Sequence, residues 1–250
     1  MLFSEILFTS ISSLRSNPVR TFLTALAIII GIASVIAMLS IGSGAQKLLE
    51  EEIQTLGGRI LWVSGSQRVR GGVKREYVQL EIKDAEALRE YKGFDWEIST
   101  EMKERRQIKF GNSNFNAQIG AYWFNFFDLR DFEIEHGRGF TENEDLSRQR
   151  VIVIGSDIPK ELKTNYKALL NNDIQINGIP YKVIGVLKKR GSQGWESPDN
   201  EIYAPLQTAS ARIFGSKKLR NIMVKISNDA NVEEAMLNIE SVMRVQHDIG

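Results

Sequence analysis

The sequence predicts an α+β protein: one N-terminal transmembrane helix extended into a stalk, followed by a mixed α+β extracytoplasmic domain of two small subdomains. Three observations carry this reading. Thr21 to Gln46 holds no charged residue, an apolar stripe at helical spacing runs on from it to Leu56, and the rest of the chain mixes short β-branched runs, two hairpin signals and short helical segments.

About 20 apolar residues rising 1.5 Å each cross a ~30 Å hydrocarbon core, and Thr21 to Gln46 reaches that length with surplus for tilt. A core helix apolar on every side for this distance would need a much larger protein to enclose it. A cleaved signal peptide is the other reading, with Arg15 and Arg20 as its basic region and Ser43-Gly44-Ala45 as its small residues. Signal h-regions run about 7 to 15 residues, so the length favours a retained anchor. Ala27, Gly31 and Ser34 share one face of this helix, and Ala33 and Ala37 form a second small pair beside it. Small residues let helix backbones approach closely in lipid, which makes Ala27, Gly31, Ser34 and Ala37 the candidates for packing within the membrane. Arg15 and Arg20 precede the span, whereas Lys47 is followed by Glu50, Glu51 and Glu52. The positive-inside rule then places the N-terminus in the cytoplasm and the main domain on the far side of a cytoplasmic (inner) membrane.

Of the 250 residues, about 200 remain for one ordinary domain or two small ones. A formal net charge of +1 with 25% charged residues leaves no basic footprint, which argues against nucleic acid as a partner. The chain has no cysteine, and this excludes disulfides, thiolate metal sites and a cysteine nucleophile.

Residues 1–16 place Phe3, Ile6, Leu7, Ile11 and Leu14 at helical spacing among serines, as expected of an amphipathic helix on the cytoplasmic membrane interface. Asn17-Pro18 suits the start of the next helix, Asn as cap and Pro in its first turn. The transmembrane helix occupies 17–46, and Leu48, Leu49, Ile53 and Leu56 carry its stripe through a stalk at 47–58, closed by Gly57-Gly58. The whole helix would measure about 58 Å.

Residues 59–250 form the extracytoplasmic core domain, with a split subdomain (59–93 with 220–250) and an inserted one (94–219) as the expected division. Arg59 to Ser64 predicts a buried strand, and Gly65 to Arg75 a solvated loop whose Arg68, Arg70, Lys74 and Arg75 offer a contact for acidic groups. A strand over Tyr77 to Glu81 and a helix over Asp84 to Tyr91 follow. Then comes a hairpin turning at Gly111-Asn112-Ser113-Asn114. Tyr122, Trp123, Phe124, Phe126 and Phe127 predict packed core. Val151 to Ile154 predicts a buried strand and Ser156 to Leu162 a helix. The strongest hairpin signal spans Asp173 to Leu187 around Asn177-Gly178. After a Gly/Ser/Pro-rich loop come a strand over Glu201 to Ala204, a helix over Leu206 to Phe214 and a strand over Asn221 to Ile226. A last helix is capped by Ser227 or Asn228, with Val232, Ala235, Ile239 and Val242 on one face.

Catalytic constellations are lacking. His136 and His247 read as surface histidines without a second ligand at metal spacing, and Glu142 and Glu144 read as solvated acids. Neither a G-x-x-x-x-G-K-[ST] loop nor a G-x-S-x-G elbow occurs. The chain is therefore not expected to be an enzyme, and no catalytic, cofactor-binding or metal-binding residue is nominated.

A set of motifs, taken in order, carries a family resemblance. They are Asn17-Pro18-Val19-Arg20-Thr21 leading into the apolar run, Leu56-Gly57, and Gly137-Arg138-Gly139-Phe140 ahead of Val151 to Gly155. Ile176-Asn177-Gly178, Tyr181 to Val186 and Ile202-Tyr203-Ala204-Pro205-Leu206 complete them. In this order and spacing the chain resembles the MacB-type ABC transporter permeases, which join a MacB-like periplasmic core domain to an FtsX-like membrane domain. The resemblance implies a non-catalytic permease subunit that couples ATP hydrolysis on a separate ABC ATPase to extracytoplasmic motion for export or efflux. It implies no cofactor in this chain, since ATP is used by the partner subunit. It further implies a second permease copy or paralogue, lipid around the span and a periplasmic adaptor protein. Phe3, Leu7, Ile11 and Leu14 would lie near the ATPase. Three later spans typical of the family are absent, so the chain reads as a fragment. The rival reading is a self-sufficient, single-pass anchored extracytoplasmic binding or scaffold module.

Overall fold

The computed structural model describes residues 17–55, 59–65, 67–70, 73–77, 79–191 and 197–248, and the chain divides into two compact units at Thr55/Leu56. The first unit is one helix, α1 (Pro18–Thr55), of 38 residues. It starts where Asn17-Pro18 places it, with the Thr21 N–H donating to the Asn17 carbonyl at 3.1 Å. Pro18–Gly44 is long and apolar enough to cross a membrane and none of it is buried by the rest of the chain. Several of its hydroxyls bond inside the helix: Ser34 Oγ donates to Ile30 O at 2.7 Å, Thr24 Oγ1 to Arg20 O at 3.0 Å, and Ser43 Oγ to Ser40 O at 3.1 Å. In hydrocarbon an unpaired hydroxyl is costly, so these back-bonds make the polar residues compatible with lipid. At 1.5 Å per residue α1 is about 57 Å long, nearly twice a hydrocarbon core.

The second unit begins with β1 (Ile60–Ser64), β2 (Gln67–Arg70), β3 (Val73–Tyr77) and α2 (Ile82–Glu90). A long hairpin of β4 (Trp96–Phe110) and β5 (Ser113–Tyr122) leads to α3 (Phe126–Leu129), β6 (Ile134–Gly137), α4 (Glu142–Leu146) and β7 (Val151–Ile154). Next are α5 (Ile158–Glu161), α6 (Tyr166–Leu169), and the hairpin of β8 (Asp173–Ile176) and β9 (Ile179–Leu187). A 3-10 turn at Pro198–Asn200, β10 (Glu201–Pro205), α7 (Leu206–Ala209), a π-turn at Ser210–Phe214, β11 (Asn221–Ile226) and α8 (Val232–Gln246) complete it.

Nine strands form one sheet in the order β1-β11-β4-β5-β10-β7-β9-β6, and β8 pairs with both β4 and β9. That second pairing closes β4, β5, β10, β7, β9 and β8 into a ring, which leaves those strands no long free edge. All six contribute to the core inside it: Ile108, Ile119, Ile202, Ile152, Val183 and Ile176 share one apolar cluster. The alternate positions face the other way into a second core with Tyr122, Phe126, Phe127, Val153, Ile184, Tyr203 and Met223. This is why Val151–Ile154 is buried at every position: a strand between two cores has no solvent face. The aromatic run is packed core, as expected.

Trp96–Ile98 and the residues up to Glu101 on β4 pair with β11, which in turn pairs with β1. Helices α2 and α8 cover this end through Ala85, Leu88, Ala235 and Ile239. Tyr91 Oη donates to Asn238 Oδ1 at 2.6 Å, and Trp96 Nε1 to Leu88 O at 3.0 Å.

Several local expectations need correction. Within Gly65 to Arg75, expected as a loop, Gln67–Arg70 is strand β2 and pairs antiparallel with β3 in a separate two-stranded sheet. The strand expected over Tyr77 to Glu81 ends at Tyr77, and Glu81 makes only a single bridge to Lys218. β1 is half-buried, since it sits at the sheet edge with β11 as its one partner. The last helix is capped by Asn231, whose Oδ1 accepts from the Glu233 and Glu234 N–H groups, and not by Ser227 or Asn228. The helix at Ser156 to Leu162 shortens to one turn, and β6 has no counterpart in the sequence reading. Gly57-Gly58 and Leu56 lie outside the described residues.

Tyr181 supplies a test of the ring core. It is fully buried, and its hydroxyl has no hydrogen-bond partner among the described residues. A buried unpaired hydroxyl costs more than it contributes, so Tyr181→Phe is expected to leave stability unchanged or raise it by about 1 kcal/mol, measured by chemical denaturation. A loss above about 1 kcal/mol would show a partner for that oxygen.

Candidate functional site

Ala27, Gly31, Ser34 and Ala37 all lie on α1 and all are exposed. A Cβ built on Gly31 meets nothing within 4 Å, so the backbone there is open to close approach by another helix. Around this patch Phe22, Ile28, Ile29, Ile30, Ile32 and Val35 are each more than half exposed, an apolar surface suited to lipid or partner helices. Leu48, Leu49 and Ile53 fall within α1, and their side chains are not among those described. Phe3, Leu7, Ile11 and Leu14 lie outside the described residues.

In the second unit the Gly137-Arg138-Gly139-Phe140 motif builds a tight corner. Gly137 has φ +80, and a Cβ there would stand 2.2 Å from Ile184 O; a Cβ on Gly185 would stand 2.4 Å from Arg138 O. Two glycines facing each other let β6 and β9 meet with Arg138 N–H on Ile184 O at 3.0 Å. Arg138 grips Glu144 with both terminal nitrogens, at 2.8 and 2.7 Å, and Glu144 also accepts the Thr141 N–H at 2.9 Å. The Arg138 guanidinium is the main reason the Glu144 carboxyl is held down at about 2, with the Thr141 N–H and hydroxyl adding to it against the cost of burial. Glu144 is therefore a buried anchor, and not the solvated acid expected from its spacing. Glu142 is half-exposed and pairs with Arg89 at 2.9 Å. Next to Glu144, burial pushes Asp145 up to about 6 although its Oδ1 accepts the Gln207 N–H at 2.7 Å. This places Asp145 at the start of α7.

Sequence reasoning missed a buried charged cluster between the second core and β11. Glu101 and Lys103 project from one face of β4, and Glu201 and Tyr122 come from β10 and β5. Lys103 Nζ lies 2.8 Å from Glu101 Oε1 and 3.4 Å from Glu201 Oε2. Tyr122 Oη donates to Glu201 Oε1 at 2.5 Å, and Asn221 Nδ2 donates to Glu101 Oε2 at 2.5 Å. Gly120 is needed here, because a Cβ would stand 2.0 Å from Glu201 Oε1. Burial pushes the Glu201 carboxyl up to about 7, with the Glu101 charge adding to it and Lys103 and Tyr122 opposing. Burial first, then the neighbouring acids, raises the Tyr122 phenol well above its ordinary value.

The histidines depart from expectation in one case. His136 stacks on Tyr166 with ring centroids 4.0 Å apart. His247 is mostly buried, with its Nε2 3.1 Å from Oδ1 of the fully buried Asp84 although neither atom makes a hydrogen bond, so it is not a surface residue. Among the described residues no group of His, Asp and Glu could hold a metal ion.

The Arg138–Glu144 corner yields a pH-dependent prediction. The depressed carboxyl of Glu144 contributes stability that is present above its ordinary 4.5 and lost as pH falls towards about 2. Glu144→Gln is expected to cost about 1 to 3 kcal/mol at neutral pH, and less as the wild type is acidified through that window. Denaturation midpoints at neutral pH and at about pH 3 check both parts.

With this geometry in hand, known proteins can be compared. A family model described as the MacB-like periplasmic core domain matches residues 21–242. The chain is 30% identical over 249 residues to the macrolide export ATP-binding/permease protein MacB of Bdellovibrio bacteriovorus, covering 98% of this chain and 38% of that protein. It is 32% identical over 247 residues to the protein of the same name from Marinobacter nauticus, with the same coverage of 98% and 38%. The chain thus spans well under half the length of these relatives. The crystal structure of the periplasmic region of MacB from Actinobacillus actinomycetemcomitans shares the fold, with a TM-score of 0.65 at 22% identity over 79% of this chain and 88% of that one. The chain therefore belongs to the MacB-like periplasmic core domain family, found in ABC transporter permeases.

Proposed function

We propose that this chain is the first span and extracytoplasmic head of a MacB-like permease, itself non-catalytic, which passes motion driven by a separate ABC ATPase to the outside for export or efflux. The observation that carries this is α1: its Pro18–Gly44 stretch is apolar and unburied, and the helix runs on to Thr55, past the length lipid requires. A lone anchor would need neither the surplus helix nor a small-residue face. The full-length relatives named as ATP-binding/permease proteins support the pairing with an ATPase.

In this reading the N-terminus is cytoplasmic, with Phe3, Leu7, Ile11 and Leu14 near the ATPase. Ala27, Gly31, Ser34 and Ala37 pack on neighbouring spans, and Leu48, Leu49, Ile53 and Leu56 carry the stalk. A second permease copy or paralogue supplies the partner helices, and an adaptor protein meets the head. ATP is bound by the ATPase, and the chain itself holds no cofactor.

Two experiments test it. Since the chain has no cysteine, single cysteines report topology directly: Glu86→Cys, exposed on α2, is expected to react with a membrane-impermeant maleimide in intact cells, and Asn17→Cys only after permeabilisation. The reverse pattern overturns the orientation. Gly31→Leu is expected to weaken co-purification with an ABC ATPase and a second permease by about tenfold, in line with ~1–2 kcal/mol for a close helix contact, while the head keeps its circular dichroism. A fully functional monomer that binds no ATPase would favour the self-sufficient anchored module instead.

A further inference from the structure

The buried cluster around Glu201 has no role in the reading above, and in it two carboxylates share one lysine, with the Arg130 guanidinium on the same cavity wall. Glu101 and Glu201 have side chains only 4% and 7% exposed, and one ammonium, Lys103, stands between them. The ammonium is shared unequally. Its contact with Glu101 is 0.6 Å shorter than its contact with Glu201, from 3.4 less 2.8 Å, and Glu101 also takes the Asn221 amide. Glu101 is thereby the better compensated carboxylate. Glu201 keeps one oxygen on the Tyr122 hydroxyl and presents the other to Lys103 at the longer distance.

Other elements enclose the site. From the turn after α3, the Arg130 guanidinium lies 5.3 Å from the Trp62 ring and 5.6 Å from the Phe132 ring. From β1 comes Trp62, from β10 Tyr203, and from β11 the neutral Asn221. Arg190 stacks on the far aromatic, Phe132, at 4.6 Å, and Lys225 of β11 faces Asp131 at 3.7 Å. Between these groups is a cavity of about 10 Å³, lined by Glu101, Lys103, Tyr122, Arg130, Glu201 and Tyr203 among others, which is room for one water. An ionised carboxylate in so narrow a space has little solvent to stabilise it.

We propose that Glu201 is a proton-binding site, and that its occupancy sets how tightly the β1–β11 strand pair is held against the closed ring of strands. With the proton bound, Lys103 belongs to Glu101 and Glu201 is a neutral acid that still accepts the Tyr122 hydroxyl. When the proton leaves, a second carboxylate competes for Lys103 and draws it from Glu101. Glu101 is the group that reaches β11 through Asn221, so the loosening is directed at that strand pair. Burial and the Glu101 charge, which push the Glu201 carboxyl up to about 7, set the range in which this happens.

The sign follows from linkage. A carboxyl that binds its proton more tightly in the closed form than at its ordinary 4.5 gives closure that is complete below that value and lost as pH rises to about 7, with no further change above. Carboxyl-carbon NMR of the full chain in detergent micelles, with glutamate labelled, tests the proton directly. One glutamate resonance is expected to titrate near 7, to be missing in Glu201→Gln, and to move higher in Lys103→Gln, where the opposing cation is gone. In hydrogen exchange corrected for intrinsic rates, opening of β1 and β11 is expected to rise about tenfold per pH unit across the window in the wild type. It should be flat in Glu201→Gln, whose carboxamide keeps an oxygen for Tyr122. The wild-type titration decides without any variant: if every glutamate titrates below about pH 6, the proposal is wrong. A pH slope that persists in Glu201→Gln would equally overturn it.

Discussion

Strand β4 holds two arrangements of the head together, because its fifteen residues change partner part-way along. Trp96 to Glu101 register against β11, and Met102 to Phe110 register against β5. A strand cannot slip by one residue without turning every side chain to the opposite face. The alternation along β4 therefore fixes at once which of its residues, Ile98, Met102 and Ile108 among them, enter the ring core, and that Glu101 and Lys103 share a face. The two cores, the glycine at position 120 and the buried charges are all consequences of that register.

Much of this was legible along the chain and little of it across. Asn177-Gly178 turns as its residue types require, with φ +50 and +81, because those conformations are open to Asn and Gly at small cost. Val151–Ile154 and Asn221–Ile226 stand where the β-branched runs stand, since burial on both faces selects such residues whatever the partner strand. The hairpin of β2 and β3 escaped notice because its alternating residues are charged, and charge along a strand reads as solvation. Asn231 displaced the earlier cap candidates because three residues separate Asn228 from the helix it was assigned to. The cluster at Glu201 was out of reach in principle: its members are spread over strands that meet only through long-range pairing, as Tyr122 and Glu201 are 79 positions apart.

The family motifs take on physical content in the same way. Gly137 and Gly185 are required by two backbones in contact, and Arg138 and Glu144 lock the corner those glycines make possible. The first unit differs, since its Pro18–Gly44 stretch is exposed and apolar, a surface of the kind that suits lipid or other helices.

The first strand of the head pairs with the last: Ile60 to Ser64 lies beside Asn221 to Lys225. Pairing of this kind brings chain ends together at a high entropic cost before any contact rewards it, and makes folding slow. A polypeptide emerging from its N-terminus therefore exposes β1 with nothing beside it until some 160 more residues have been delivered, by the difference between positions 60 and 225. During that interval the edge is open to foreign strands, and the closely following positively charged strands β2 and β3 are the type of segment that discourages such pairing. Assembly of the head is thus a late event, completed only when its C-terminal strand arrives.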